Sequence, residues 1–359
     1  MNQRDVKIIA TLGPATRKKS DLLKLKDNGV DFVRVNMSHS SIADLEYFIA
    51  LARKVGIPFV IDTEGSQIRS DVVRGKAIHL KKGQTITAQA FPIMGDKNAF
   101  SLRPGHIIGQ LDIGDLLHVG FDSLILCVSD ISARSEGRIT LRVHESGILE
   151  SNKGVVVNRS APKEFDIPPL SEKDHASIDI GLREGAGVIA ASFVRSGESV
   201  DMVREATKHS MKVISKIECV EALKNVDDII QRSDMILIDR GDLSKEIPIE
   251  KVPFVQKVIL KKACDAGKEA FVATNLLETM IKKRNPTLAE VHDVITTVCD
   301  GAAGVTLSAE TAIGKYPIES AIMMNNILDH AASVLSRYPH NSGNGALIEA
   351  LERSDYLLH

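Results

Sequence analysis

Eight short β-branched runs, each followed by an amphipathic stretch, constrain this chain more than any other feature. The runs are KIIATLG at 7–13, DFVRVN at 31–36, PFVIDTEG at 58–65, VIAASFV at 188–194, KVISKIE at 212–218, MILIDRGD at 235–242, EAFVATN at 269–275 and GVTLSAE at 304–310. Helix-like segments follow near 19–28, 41–55, 172–185, 198–209, 219–231, 251–266, 287–299 and 317–336. Strands this apolar belong in a sheet buried on both faces. Eight such units predict an α/β fold, a closed (β/α)8 TIM barrel. The alternative, an open doubly wound sheet, usually holds fewer strands.

The series is interrupted once. From about 70 to 156 the segments AIHLKKGQTITAQA, DLLHVGFDSLILCVS and GRITLRVHES alternate apolar and polar residues between glycine-containing turns. That pattern predicts a small antiparallel β domain inserted after the third strand. The expected organisation is a barrel of residues 1–69 and 157–340, an inserted β domain of 70–156, and a C-terminal tail of 341–359. The tail opens as a loop, NSGNGA, and closes on a short helix-like LIEALERSDYLLH. The insert falls on the side where βα loops gather, the place for a lid; an oligomerisation module is the other reading.

Composition narrows the function classes. With 45 basic and 47 acidic residues the net charge is −2, so there is no electrostatic reason to expect nucleic acid or an anionic membrane as partner. No apolar run approaches the ~18 residues of a spanning helix, and the N-terminus has no apolar signal region. The four cysteines, Cys127, Cys219, Cys264 and Cys299, form no CxxC pair and fit a reducing compartment. A cytoplasmic enzyme or binding protein is the expectation.

Barrel function sits at the C-terminal strand ends. There the second run carries Arg34, Asn36 and Ser38, the third Asp62 and Thr63, with Arg69 closing its loop. The fifth carries Lys216 and Glu218, the sixth runs into Arg240, Gly241 and Asp242, the seventh ends at Thr274, and the eighth at Ser308 and Glu310. Charges this dense are costly unless paired or bound to ions. Glu218 and Asp242 together read as oxygen ligands for a hard divalent cation such as magnesium; without His or Cys beside them they do not suit zinc. Lys216 and Arg34 beside such a cation suit a substrate carrying carboxylate and phosphate. Asn36, Ser38, Asp62 and Thr63 read either as a monovalent-cation set or as a buried hydrogen-bond cluster. Glu218 alone reads equally well as half of a structural ion pair, and His39 as a ligand or a surface residue.

The strings at these strand ends identify a resemblance. KIIATLGPAT, VRVNMSHS, DTEGSQIR, IPPLSEKD, ASFVR, SKIE, RGDLSKEIP, ATNLLETMI, NPTLAEVHDV, DGAAGVTLSAET and GKYP occur in the order of the pyruvate kinase family, which the chain resembles over both barrel segments. The resemblance implies phosphoryl transfer from phosphoenolpyruvate to ADP, giving pyruvate and ATP, with Mg2+ or Mn2+ and with K+ as a candidate second ion. It implies Glu218 and Asp242 as divalent-metal ligands and Lys216 as the cation facing the phosphoryl group in transfer. It implies Arg34 as a phosphoryl contact and Thr274 as the residue beside the carbon that gains a proton. The backbone of Arg240 and Gly241, with Asp242 and Thr274, would meet the substrate carboxylate. Arg69, Pro14, His39 and Lys153 fall on the nucleotide side, and Asn36, Ser38, Asp62 and Thr63 match the potassium set. A homodimer through the barrel is the assembly it leaves open.

Departures from the family pattern are local. The chain ends about where the family's C-terminal regulatory domain would begin, so regulation through that domain is not expected. Glu64 stands where the family carries a lysine, Gln67 where potassium-dependent members carry a glutamate, Asp239 where an alanine is usual, Ser244 for a glycine and Leu288 for an arginine. Past Lys153, VVVNRSAPKEFDI replaces a more regular stretch. Two alternatives follow: metal-dependent enolate chemistry on another 2-oxo acid, as lyase or decarboxylase, and a non-catalytic regulatory paralogue.

Overall fold

The computed structural model describes residues 6–75, 77–120, 124–160 and 165–337. The expected tail helix lies outside these residues. Eight strands form a closed parallel barrel: β1 (Lys7–Thr11), β2 (Phe32–Asn36), β3 (Phe59–Asp62), β4 (Val188–Ala191), β5 (Lys212–Ile217), β6 (Met235–Asp239), β7 (Glu269–Ala273) and β8 (Gly304–Leu307). Each pairs with its neighbours in sequence, and β8 closes on β1 with Lys7 opposite Gly304 and Ala10 opposite Leu307. The (β/α)8 expectation holds.

The period of two along each strand sorts its side chains. Outward residues such as Val33 and Val35 pack beneath the helices. Inward residues Ile9, Val60, Ala190, Ile214, Leu237 and Phe271 fill the barrel. Phe271 fills it so fully that a Cβ on Gly304 would lie 2.3 Å from its ring. One step further along the same inward rows, Arg34 follows Phe32, Asp62 follows Val60, Lys216 follows Ile214 and Asp239 follows Leu237. An apolar plug thus floors a charged layer at the C-terminal end.

Local chemistry sets the helix starts. Ser41, Ser171 and Thr287 accept the backbone N–H groups of Asp44, Asp174 and Glu290, opening the helices Ile42–Val55, Glu172–Glu184 and Leu288–Cys299. The segment expected as one helix at 219–231 is two, Val220–Lys224 and Val226–Arg232. At the break, Asn225 Nδ2 donates to the Arg195 carbonyl at 2.8 Å, tying the junction to the turn after β4. A short helix at Arg240–Glu246, not expected from the pattern, starts because Asp239 caps it.

Between β3 and β4 the chain forms a seven-stranded sheet from Arg69–Ser70 to Val155–Asn158, plus a two-stranded sheet pairing Ala77–Leu80 with Gly147–Glu150. The larger sheet is mixed, not purely antiparallel: Thr85–Gln89 and Ala99–Arg103 run side by side in parallel. Its own core includes Ile86, Phe100, Leu117, Leu126 and Leu141. The outbound and returning chains meet at a neck, where Ser70 N donates to Lys153 O and Val155 N donates to Ile68 O. No helix of the described residues is long and apolar enough to cross a membrane.

Candidate functional site

Lys216 stands at the centre of the charged layer. Its ammonium lies 3.2 Å from Glu218 Oε2, 3.4 Å from Asp62 Oδ1 and 3.6 Å from Asp239 Oδ2, and it donates to Ser192 Oγ at 3.0 Å. Burial works against its charge, but Asp62, Glu218 and Asp239 outweigh that and hold it protonated far above the ordinary lysine range. One ammonium cannot satisfy three carboxylates. Glu218, fully buried and facing Asp242 and Asp239 as well, is the one pushed up, to about 8, with Lys216 opposing the shift. Burial also raises Asp239, yet Lys216 and Arg34 prevail and hold it below the usual carboxylate range.

The second buried cation is Arg34. Its Nη1 pairs with Asp62 Oδ2 at 3.1 Å, and its other nitrogens donate to Thr11 Oγ1 and, at 3.2 Å, to Ser308 Oγ. Three strand ends thereby hold one guanidinium, and Arg34 lines a cavity of about 510 Å³ together with Asp239, Gly241 and Thr274. Lys216 faces a neighbouring cavity of about 310 Å³ reaching Arg69 and Lys153. Asn36, His39, Asp242 and Lys245 border both.

Carboxylate oxygens of Glu218, Asp239 and Asp242 lie within 4.8 Å of one another. Glu218 Oε1 accepts the Phe193 N–H at 2.7 Å, whereas its buried Oε2 accepts no hydrogen bond. An all-oxygen set with one oxygen free of hydrogen bonds fits a hard divalent cation. Phe193, which supplies the bond to Glu218, has a φ of 52°, and Thr274 has a φ of 69°. Left-handed backbone is costly for a bulky or β-branched residue. At Thr274 it brings Oγ1 to within 2.7 Å of the Gly241 N–H, which it accepts. The hydroxyl's own proton has Ala273 O at 2.5 Å and Asp239 Oδ1 at 3.3 Å within reach. The Arg240 side chain turns away, gripping Asp293 with Nη1 and the Thr274 carbonyl with Nε and Nη2.

The expected monovalent-cation residues are neighbours but engaged. Asn36 and Asp62 are opposite each other across β2 and β3, and Asn36 Oδ1 accepts the Ser38 N–H. Thr63 Oγ1 accepts the Ser192 N–H, and Asp62 already faces Arg34 and Lys216. On the outer cavity, Arg69 donates to Asn152 O and Lys153 pairs with Glu150 at 3.2 Å. Pro14 and His39 are exposed on the rim of the larger cavity.

The departures have local partners. Glu64 pairs with Lys173 at 3.5 Å, Gln67 lines the outer cavity, Ser244 Oγ donates to the Gly241 carbonyl, and Leu288 is exposed. Sequence reasoning passed over Ser192, which bonds Lys216, Asp62 and the Thr63 carbonyl. Its signal was present, since it directly follows the fourth strand within ASFVR. Gly65 backs it: φ is +67° there, and a Cβ would come within 2.7 Å of Ser192 O.

Known proteins are similar to this chain in sequence and in fold. The family model for the pyruvate kinase barrel domain matches residues 3–321. A pyruvate kinase of Methylorubrum extorquens is 37% identical over 332 residues, covering 91% of this chain and 68% of that protein. One from Geobacillus stearothermophilus is 34% identical over 335 residues, covering 90% of this chain and 56% of that protein. Among solved structures, a pyruvate kinase from Cryptosporidium parvum superposes with a TM-score of 0.81 at 31% identity, over 91% of this chain and 69% of the other.

Proposed function

The chain belongs to the pyruvate kinase family, and from that premise we propose that it transfers a phosphoryl group between phosphoenolpyruvate and ADP, yielding pyruvate and ATP. The observation that carries the reading is a buried ammonium set among Glu218, Asp62 and Asp239 beside a second buried cation, Arg34, at the mouth of a barrel. Phosphoryl transfer asks mainly for positioning and charge neutralisation. Glu218 and Asp242 would hold Mg2+ or Mn2+, which supplies positive charge to phosphoryl oxygens. Lys216 faces the group in transfer and Arg34 binds its oxygens. Backbone at Arg240, Gly241 and Asp242, with the Thr274 hydroxyl, orients the substrate carboxylate. Thr274 also stands where a proton reaches the methylene carbon. Arg69, Lys153, His39 and Pro14 receive the nucleotide, and closure of the inserted sheet over the cavity excludes water. K+ at Asn36, Ser38, Asp62 and Thr63 belongs to the same reading, as do a cytoplasmic setting and a homodimer through the barrel.

The test is pyruvate formation from phosphoenolpyruvate and ADP with Mg2+, with and without K+, beside Lys216→Met. Turnover that needs Mg2+ and vanishes in the variant supports the reading. A folded protein that binds Mg2+ yet makes no pyruvate overturns it.

A further inference from the structure

Asp239 stands in the carboxylate cluster with Glu218 and Asp242 and also meets Lys216 and Thr274, yet it has no part of its own in the proposed function. It is 6% exposed, ends β6 and forms part of the wall of the larger cavity. Its Oδ1 lies 3.4 Å from the Asp242 N–H and 3.3 Å from Thr274 Oγ1, and its Oδ2 lies 3.6 Å from Lys216 Nζ. The adjacent Gly241 N–H is taken by Thr274 Oγ1 at 2.7 Å. The donors around this corner are therefore directed at groups of the chain itself: the Asp242 N–H at Asp239, and the Thr274 hydroxyl at Ala273 O, 2.5 Å away, with Asp239 Oδ1 as its second acceptor.

The contacts of that carboxylate are long. Charge-assisted hydrogen bonds usually close to about 2.7–2.9 Å, and strength falls steeply beyond normal geometry. The three contacts of Asp239, at 3.3, 3.4 and 3.6 Å, all lie beyond that range. Such a carboxylate can be displaced from its donors but cannot leave the cavity wall. Its backbone is fixed in β6 opposite Ala273, and the following residue is clamped to Asp293.

We propose that Asp239 is a specificity-determining residue: an internal carboxylate that holds the Asp242 N–H and crowds the Thr274 hydroxyl, where the carboxylate of the substrate would otherwise sit. The inference rests on the proposed function for where that carboxylate binds. An incoming carboxylate must compete for the Asp242 N–H and the Thr274 hydroxyl while sitting beside a buried negative charge. The chain consequently binds carboxylate-bearing enol phosphates weakly for a site with two buried cations, while the phosphoryl end, which meets Arg34 as well as Lys216, is affected less.

Asp239→Ala removes the internal carboxylate, and Asp239→Asn removes its charge while preserving a helix cap. Calorimetric titration of phosphoenolpyruvate, without nucleotide and at Mg2+ concentrations saturating each protein, gives the affinity; inorganic phosphate serves as the probe without a carboxylate. The expected result is phosphoenolpyruvate binding about tenfold tighter in Asp239→Ala, with a smaller gain in Asp239→Asn. Phosphate affinity should stay within about twofold in both. If the alanine protein does not fold, the sign in the asparagine protein decides. Unchanged or weaker phosphoenolpyruvate binding in the variants overturns this inference while leaving the proposed function standing. No binding in any of the three proteins overturns both. Equal tightening of phosphate overturns the carboxylate argument, since any removed negative charge would then suffice.

Discussion

Replacing Lys216 with methionine keeps a long unbranched side chain and deletes one charge. Three carboxylates, at 3.2, 3.4 and 3.6 Å from the ammonium, then lose their shared partner. Arg34 compensates only Asp62 directly. Stranding one buried charge costs about 3–5 kcal/mol, against a typical total of about 5–15 kcal/mol for a folded domain. Glu218 and Asp239 respond by taking up protons, so the cost depends on pH. Glu218, already raised by burial, is the first to protonate. The variant should therefore lose about 3–5 kcal/mol at pH 8 without metal and clearly less at pH 5.5. Mg2+ should narrow the gap at pH 8 by returning positive charge to the same oxygens. Urea unfolding followed by circular dichroism, at both pH values with Mg2+ or EDTA, measures each quantity. Phosphoryl transfer in the same protein should fall by at least about a hundredfold. A variant as stable as the parent at pH 8 in EDTA, or a loss identical at both pH values, would refute the electrostatic account.

Other perturbations test separate parts of the molecule. Gly304→Ala places a methyl 2.3 Å from the Phe271 ring and should cost at least about 1–3 kcal/mol, with Phe271→Leu restoring part of it in the double variant; thermal unfolding reads both. Glu246 is pushed up to about 7 by burial and by Glu221. A carboxyl whose folded pKa is raised weakens the fold above that pKa and not below its unfolded value. Glu246→Gln should therefore raise the urea midpoint at pH 8 and leave it unchanged at pH 4. Mg2+ should raise the melting temperature in a concentration-dependent way, and Glu218→Gln should abolish most of that rise.

Much of this molecule is legible in the chain because its signals are local or periodic. Apolar runs ending in charge define the barrel strands, and Ser41, Ser171 and Thr287 mark helix starts within a few residues of themselves. The same period of two puts Arg34 above Phe32 and Lys216 above Ile214, so the charged end of the barrel follows from the pattern of single strands. Local signals do not carry the pairing inside the inserted sheet. There the parallel contact of Thr85–Gln89 with Ala99–Arg103 joins segments whose alternation would suit either direction.

Partnership across the barrel is likewise a tertiary decision. Nothing near position 239 says that its carboxylate will meet Lys216 from β5 and Thr274 from the end of β7. Ser192 is an ordinary serine until the closed barrel sets it between Asp62 and Lys216. Glu218 is an ordinary glutamate until burial, with Asp242 and Asp239 close by, raises its pKa against the pull of Lys216. Which chemical groups reach the mouth of the barrel can be read from a few consecutive residues, because strand period and strand end are local properties. Which of those groups share a proton, a cation or a hydrogen bond depends on distances between strands far apart in the chain and on the water excluded when the barrel closes.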